Sequence, residues 1–75
     1  MVNGMMWFDD NNKRSLEQKI RMAVNYFELK YKRKPEIVVI SPKEAAQGEG
    51  LPRIPGLDVQ NQEVVLPHHF WVGLS

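Results

Sequence analysis

Apolar and polar residues alternate along this chain in blocks whose period changes, and each change marks an element. Met5, Met6, Trp7 and Phe8 form a short apolar run that predicts a first strand, broken by the polar stretch DDNNKR at 9–14. Ser15 then stands three residues before Gln18, the spacing of a capping box. From Leu16 to Lys32 the period becomes helical, with Leu16, Ile20, Ala23, Val24, Phe27 and Tyr31 on one face. Glu17 with Arg21 and Glu28 with Lys32 are pairs four apart in the favourable order. Pro35 ends this helix and holds Lys34 extended.

EIVVIS (36–41) follows as a strand with so continuous an apolar run that both its faces are expected to be covered. SPKEAAQG (41–48) predicts a short helix: Ser41 caps it, Pro42 suits the first helical position, Glu44 completes a second capping box and Gly48 ends it. GEGLPRIPG holds three of the five glycines and two of the five prolines, so a loop is expected there. LDVQ and EVVL are placed as a hairpin around Asn61, and HFWVGL as a last strand. The fold class is therefore α+β, with one long amphipathic helix packed on a small mixed sheet of about four to five short strands, plus a short second helix. The first and second strands are expected to run parallel through a right-handed crossover.

The long helix carries a second stripe. Met22, Tyr26 and Leu29 recur at steps of four and three, away from the first face, with Arg33 at their edge. A helix lying on a small sheet needs one apolar face only. Residues 1–75 make a single small domain, and such a domain is short of core. With no cysteine it has no disulfide to compensate. These facts turn the second stripe into an expected interface, with a homodimer or a protein partner as its occupant.

Charge changes the picture little. A net charge of +1 does not suggest a chain that works through bulk electrostatics. Lys30, Lys32, Arg33 and Lys34 surround Tyr31 and are the one basic cluster; they are candidates for nucleic-acid contact, but cations also suit a helix C-terminus. Ser41 and Lys43, following an apolar strand, are candidates for an anion. The start of the chain lacks a basic segment leading into a long apolar one, and no apolar run reaches membrane length. A cytoplasmic protein with no membrane contact is the expectation.

Catalytic chemistry finds few residues. The chain has neither Cys nor Thr, and of its three serines two are assigned to caps and one is terminal. His68 and His69 are adjacent, and side chains adjacent in a strand face opposite ways, so they are expected to be structural rather than metal ligands. With Asp9 they are the only polar centre an enzyme would have. Gln47–Gly50 is glycine-rich but leads into prolines instead of a helix, so it is no phosphate cradle. No catalytic residue, metal or cofactor is expected.

The segments YFELKYKRKPEIVVISP and VVLPHHFWVG resemble short uncharacterised proteins of bacteria or phages, over about half of the chain. The resemblance implies a compact domain, and no activity or site residue. A small non-enzymatic interaction domain, self-associating through the long helix, is the resulting expectation; the alternative is a nucleic-acid-binding accessory protein using the cluster at Lys30–Lys34.

Overall fold

The computed structural model describes residues 4–47 and 50–74. In chain order its elements are strand β1 (Gly4–Phe8), helix α1 (Leu16–Tyr31), strand β2 (Ile37–Ile40), helix α2 (Pro42–Gln47), strand β3 (Asp58–Asn61) and strand β4 (His69–Gly73). A helix of 16 residues, a short second helix and a four-stranded mixed sheet make this an α+β fold.

The sheet order is β1-β4-β2-β3. β4 is antiparallel to both its neighbours, and β2 is parallel to β3. β1 and β2 therefore point the same way, as the helical crossover between them requires, but β4 is inserted between them. The expected hairpin is not formed. β3 instead pairs in parallel with β2, Ile37 opposite Asp58 and Ile40 opposite Asn61. EVVL forms a turn, in which the Val65 N–H donates to the Gln62 carbonyl at 3.1 Å. Asn-Gln lacks the left-handed preference of a tight hairpin turn, and β2 offers β3 a free edge.

α1 begins as its spacing requires. The Gln18 N–H donates to Ser15 Oγ at 3.2 Å, and the Ser15 N–H donates to Gln18 Oε1 at 2.9 Å. Arg21 meets Glu17 at 3.0 Å. At the other end Lys32 turns left-handed, with φ 60°, and its N–H donates to the Glu28 carbonyl at 2.9 Å. That turn takes the Lys32 side chain off the helical register, and no Glu28–Lys32 ion pair forms. In α2, Ser41 Oγ accepts from the Lys43 N–H at 3.1 Å, but the second capping box is incomplete, because the Glu44 carboxylate goes to His68. Gly48, expected to end α2, lies outside the described residues.

The core sits between α1 and one face of the sheet. Ile20, Ala23 and Phe27 from α1 pack on Val38 and Ile40 of β2 and Phe70 and Val72 of β4, with Met5 and Trp7 of β1 at the side. Ala45 of α2 joins the same cluster. Tyr31, assigned to the buried stripe, is instead exposed. It is the last helical residue, and its ring lies 4.6 Å from that of Phe27 without reaching the sheet. The opposite face holds a smaller cluster, in which Ile37, Val39 and Trp71 meet Val65 of the 62–67 turn. All four residues of β2 are consequently buried, as its unbroken apolar run requires.

Candidate functional site

Two kinds of surface stand out: apolar faces without a cover, and a polar cavity at one end of the sheet. One apolar face is the back of the sheet. Met6 and Phe8 project there from β1, 54% and 56% exposed, beside their register partners Trp71 and His69 on β4. Val64 and Leu66 flank the Val65 plug and are also exposed. Trp71 reaches across the strands and lies over Gly4, filling the place a side chain there would need. Met6, Phe8, Trp71 and His69 are contiguous there because strand residues two apart share a face and paired residues are neighbours.

The outer stripe of α1 is the other. Leu29 is 72% exposed, but Met22 is only 38% exposed, and Tyr26 is half covered by Trp7, with ring centroids 5.0 Å apart. Arg33 lies beyond the left-handed turn at Lys32, so it does not continue the helical register of the other three. The structure thus brings Met22, Tyr26 and Leu29 onto one helix face and leaves Arg33 off it.

The basic cluster is exposed throughout. Lys30 Nζ lies 5.4 Å from the Tyr31 ring centre, and Lys32, Arg33 and Lys34 form no ion pair among the described residues. The other proposed anion contacts, Ser41 and Lys43, lie at the far end of β2. Ser41 is buried with its hydroxyl engaged in the cap, and Lys43 is exposed. The two groups do not form one site.

The polar cavity, of about 220 Å³, opens beside the carboxyl ends of β1 and β2 and the amino end of α1, and Asp10, Asn12, Arg14, Lys19, Glu44 and His68 line it. Its walls are tied together by local bonds. Asp9 is buried: its carboxylate accepts from the Asn11 N–H at 3.0 Å and pairs with Arg14 Nη1 at 3.3 Å, while its own N–H donates to the His68 carbonyl at 2.9 Å. The His68 N–H donates to Glu44 Oε1 at 2.7 Å. These two bonds clamp His68 in a left-handed conformation, φ 68°, unusual for a residue other than glycine.

His68 lies in the turn that leads into β4, which begins at His69, the first residue of the strand the sequence suggested. Its Nδ1 stands 3.1 Å from Glu44 Oε1, near enough for an ion pair when protonated but not aligned for a hydrogen bond. His69 Nδ1 lies 2.9 Å from the Pro67 carbonyl and serves as donor, and the ring stacks edge-on to Phe8. Among the described residues no three His, Asp or Glu side chains come together to hold a metal, and no helix is long and apolar enough to cross a membrane.

Sequence reading missed Arg14, Lys19 and Glu44 as cavity residues and Met6, Phe8 and Trp71 as an open face. For Lys19 a signal was present. It lies three residues after Leu16 and four before Ala23, inside the buried arc of α1. No protein-family model, no curated protein and no solved structure matches the chain.

Proposed function

We propose that this chain is a small non-enzymatic interaction domain that self-associates, with the back of its sheet as the main contact and the α1 stripe as a lesser one. One observation carries the reading: four strands covered by helices on one side only, with Met6 and Phe8 left in water on the other. A sheet face that is half apolar and uncovered is unfavourable for a monomer and is relieved by a second layer. A second copy supplies such a layer through an isologous contact about a two-fold axis, the two sheets facing at about 10 Å. The helix stripe is the weaker candidate, since Tyr26 already spends much of its ring on Trp7.

Sedimentation across a concentration series tests this. The expected result is a dimer at about 100 µM, dispersed by Phe8→Lys and retained by Leu29→Glu. The reverse pattern moves the interface to α1. A wild-type monomer at that concentration defeats self-association. A second reading, nucleic-acid contact, draws on the exposed Lys32, Arg33 and Lys34, which form no ion pair among the described residues, although the Tyr31 ring is partly taken up by a tilted contact with Phe27. Oligonucleotide binding that weakens steeply with salt and is lost in Lys32→Gln/Lys34→Gln would establish it.

A further inference from the structure

A strand at the edge of a sheet turns every second backbone N–H and C=O away from its only neighbour. β1 is such a strand, the first in the order β1-β4-β2-β3. The phase of its ladder is fixed by the Asp9 N–H, which donates to the His68 carbonyl at 2.9 Å in the register that pairs Phe8 with His69. Bonded and non-bonded pairs alternate along an antiparallel ladder. Met5 and Trp7 therefore bond to β4, and Gly4, Met6 and Phe8 point their backbone groups to the outer edge. Among the described residues no hydrogen bond from another element reaches those groups.

The two edges of the sheet are not alike. β3, at the other edge, reads DVQN and exposes Asp58 and Asn61, polar residues of the kind that blunt an edge. β1 reads GMMWF, with no charge and no proline to block pairing. Backbone groups in this alternation are complementary only to another extended segment, which fixes the occupant as a strand.

We infer that β1 pairs antiparallel with β1 of a second copy, joining two four-stranded sheets into one. This rests on the self-association proposed above and adds to it a backbone contact, at the margin of the apolar back face where Met6 and Phe8 project. The strand is complementary to itself. With the two-fold axis at Met6, Gly4 stands opposite Phe8 and Met5 opposite Trp7, and the outward groups of Gly4, Met6 and Phe8 are all satisfied. Phe8 then covers a glycine of the other copy, beside the Trp71 ring that already lies over it. Met5 meets an indole, a favourable partner for its sulfur. The outer stripe of α1 belongs to the same side of the molecule, since Tyr26 packs against Trp7. An axis normal to the sheet keeps both copies of α1 on one side and turns their stripes toward each other.

Hydrogen exchange of the full chain, labelled at about 1 µM and at about 500 µM and read residue by residue, tests the pairing. For a dissociation constant of about 10 µM, the Met6 and Phe8 amides should exchange about fivefold or more slowly at the higher concentration. The Met5 and Trp7 amides, bonded to β4, should be slow at both. A face-to-face contact leaves the outer edge in water, so an oligomer whose Met6 and Phe8 amides stay fast overturns the pairing and spares self-association. A monomer at the higher concentration defeats both. Protection that is already present at 1 µM overturns the pairing as well. Two variants separate backbone from side chain. Met6→Gln and Met6→Pro both remove the thioether from the back face, but only proline removes the outward N–H, and an edge strand tolerates it there. Met6→Pro should dissociate about tenfold more readily than Met6→Gln in sedimentation. Equal affinities overturn the inference, and should Met6→Pro fail to fold, the exchange pattern of the unmodified chain decides it.

Discussion

On one side of the sheet Val38, Ile40, Phe70 and Val72 are closed over by Ile20, Ala23 and Phe27 of a capped helix. On the other side Ile37 and Val39 are closed by Val65 and Trp71, and Met6 and Phe8 remain open. The same strands build both faces, so strand sequence alone does not explain the difference. What differs is the cover. A helix brings several side chains to the sheet with one element, whereas the 62–67 turn brings one. The covered side is where stability is concentrated, and the other side is where the molecule has surface to offer.

That contrast orders the expected effects of substitution. Phe70→Ala removes the largest β4 side chain on the covered side and should cost about 3–5 kcal/mol. The total available to a domain of 75 residues is about 4–11 kcal/mol. Loss of a cooperative melt by circular dichroism is therefore expected, and a variant melting near the wild type would show that the helix side does not dominate.

Gly4→Ala comes next. Its methyl group would strike the Trp71 ring and lie 2.7 Å from the Val72 carbonyl oxygen, which belongs to the backbone and cannot swing aside. About 1–3 kcal/mol should be lost in urea unfolding.

Val65→Ala unplugs the thin side and should cost about 1–2 kcal/mol, less than the same truncation at Val72. Equal losses at the two valines would erase the distinction between the faces. Phe8→Lys should change monomer stability by no more than about 0.5 kcal/mol, because the side chain is already half in water. Its effect should appear in sedimentation instead. A large loss of stability at Phe8 in dilute solution would mean that the open face is closed within the monomer.

The elements were legible in the sequence to the extent that their signals are local. Ser15 and Gln18 cap α1 within one turn, and its apolar arc lies within four residues of itself at every step. The unbroken run at 37–40 announced a strand covered on both faces, and it is. Strand order was not legible, because the insertion of β4 between β1 and β2 depends on partners thirty or more residues away. Val64 and Val65 read as strand for the same reason: an apolar pair does not reveal whether it joins a ladder or plugs a face. The cavity was hidden more deeply. Lys19, Glu44 and His68 come from a helix, a second helix and a turn, and although Lys19 falls inside the buried arc of α1, none of the three points to the others in the sequence. Only their meeting at the ends of β1 and β2 gives them a shared environment.

The position of β4 also sets how the chain must fold. β3 and β4 are consecutive in sequence but separated by β2 in the sheet, and no two neighbouring strands are joined by a tight turn. No hairpin can nucleate the sheet, and every pairing waits on the closure of a long loop. Such topologies fold slowly for their length, whereas α1 can form early because its cap is local. Until β4 arrives, β1 and β2 stand one strand apart with unpaired edges facing the gap. A β4 from another molecule fits that gap as well as the chain's own. Refolding yield should therefore fall as concentration rises, with strand-exchanged species forming in competition with the native chain.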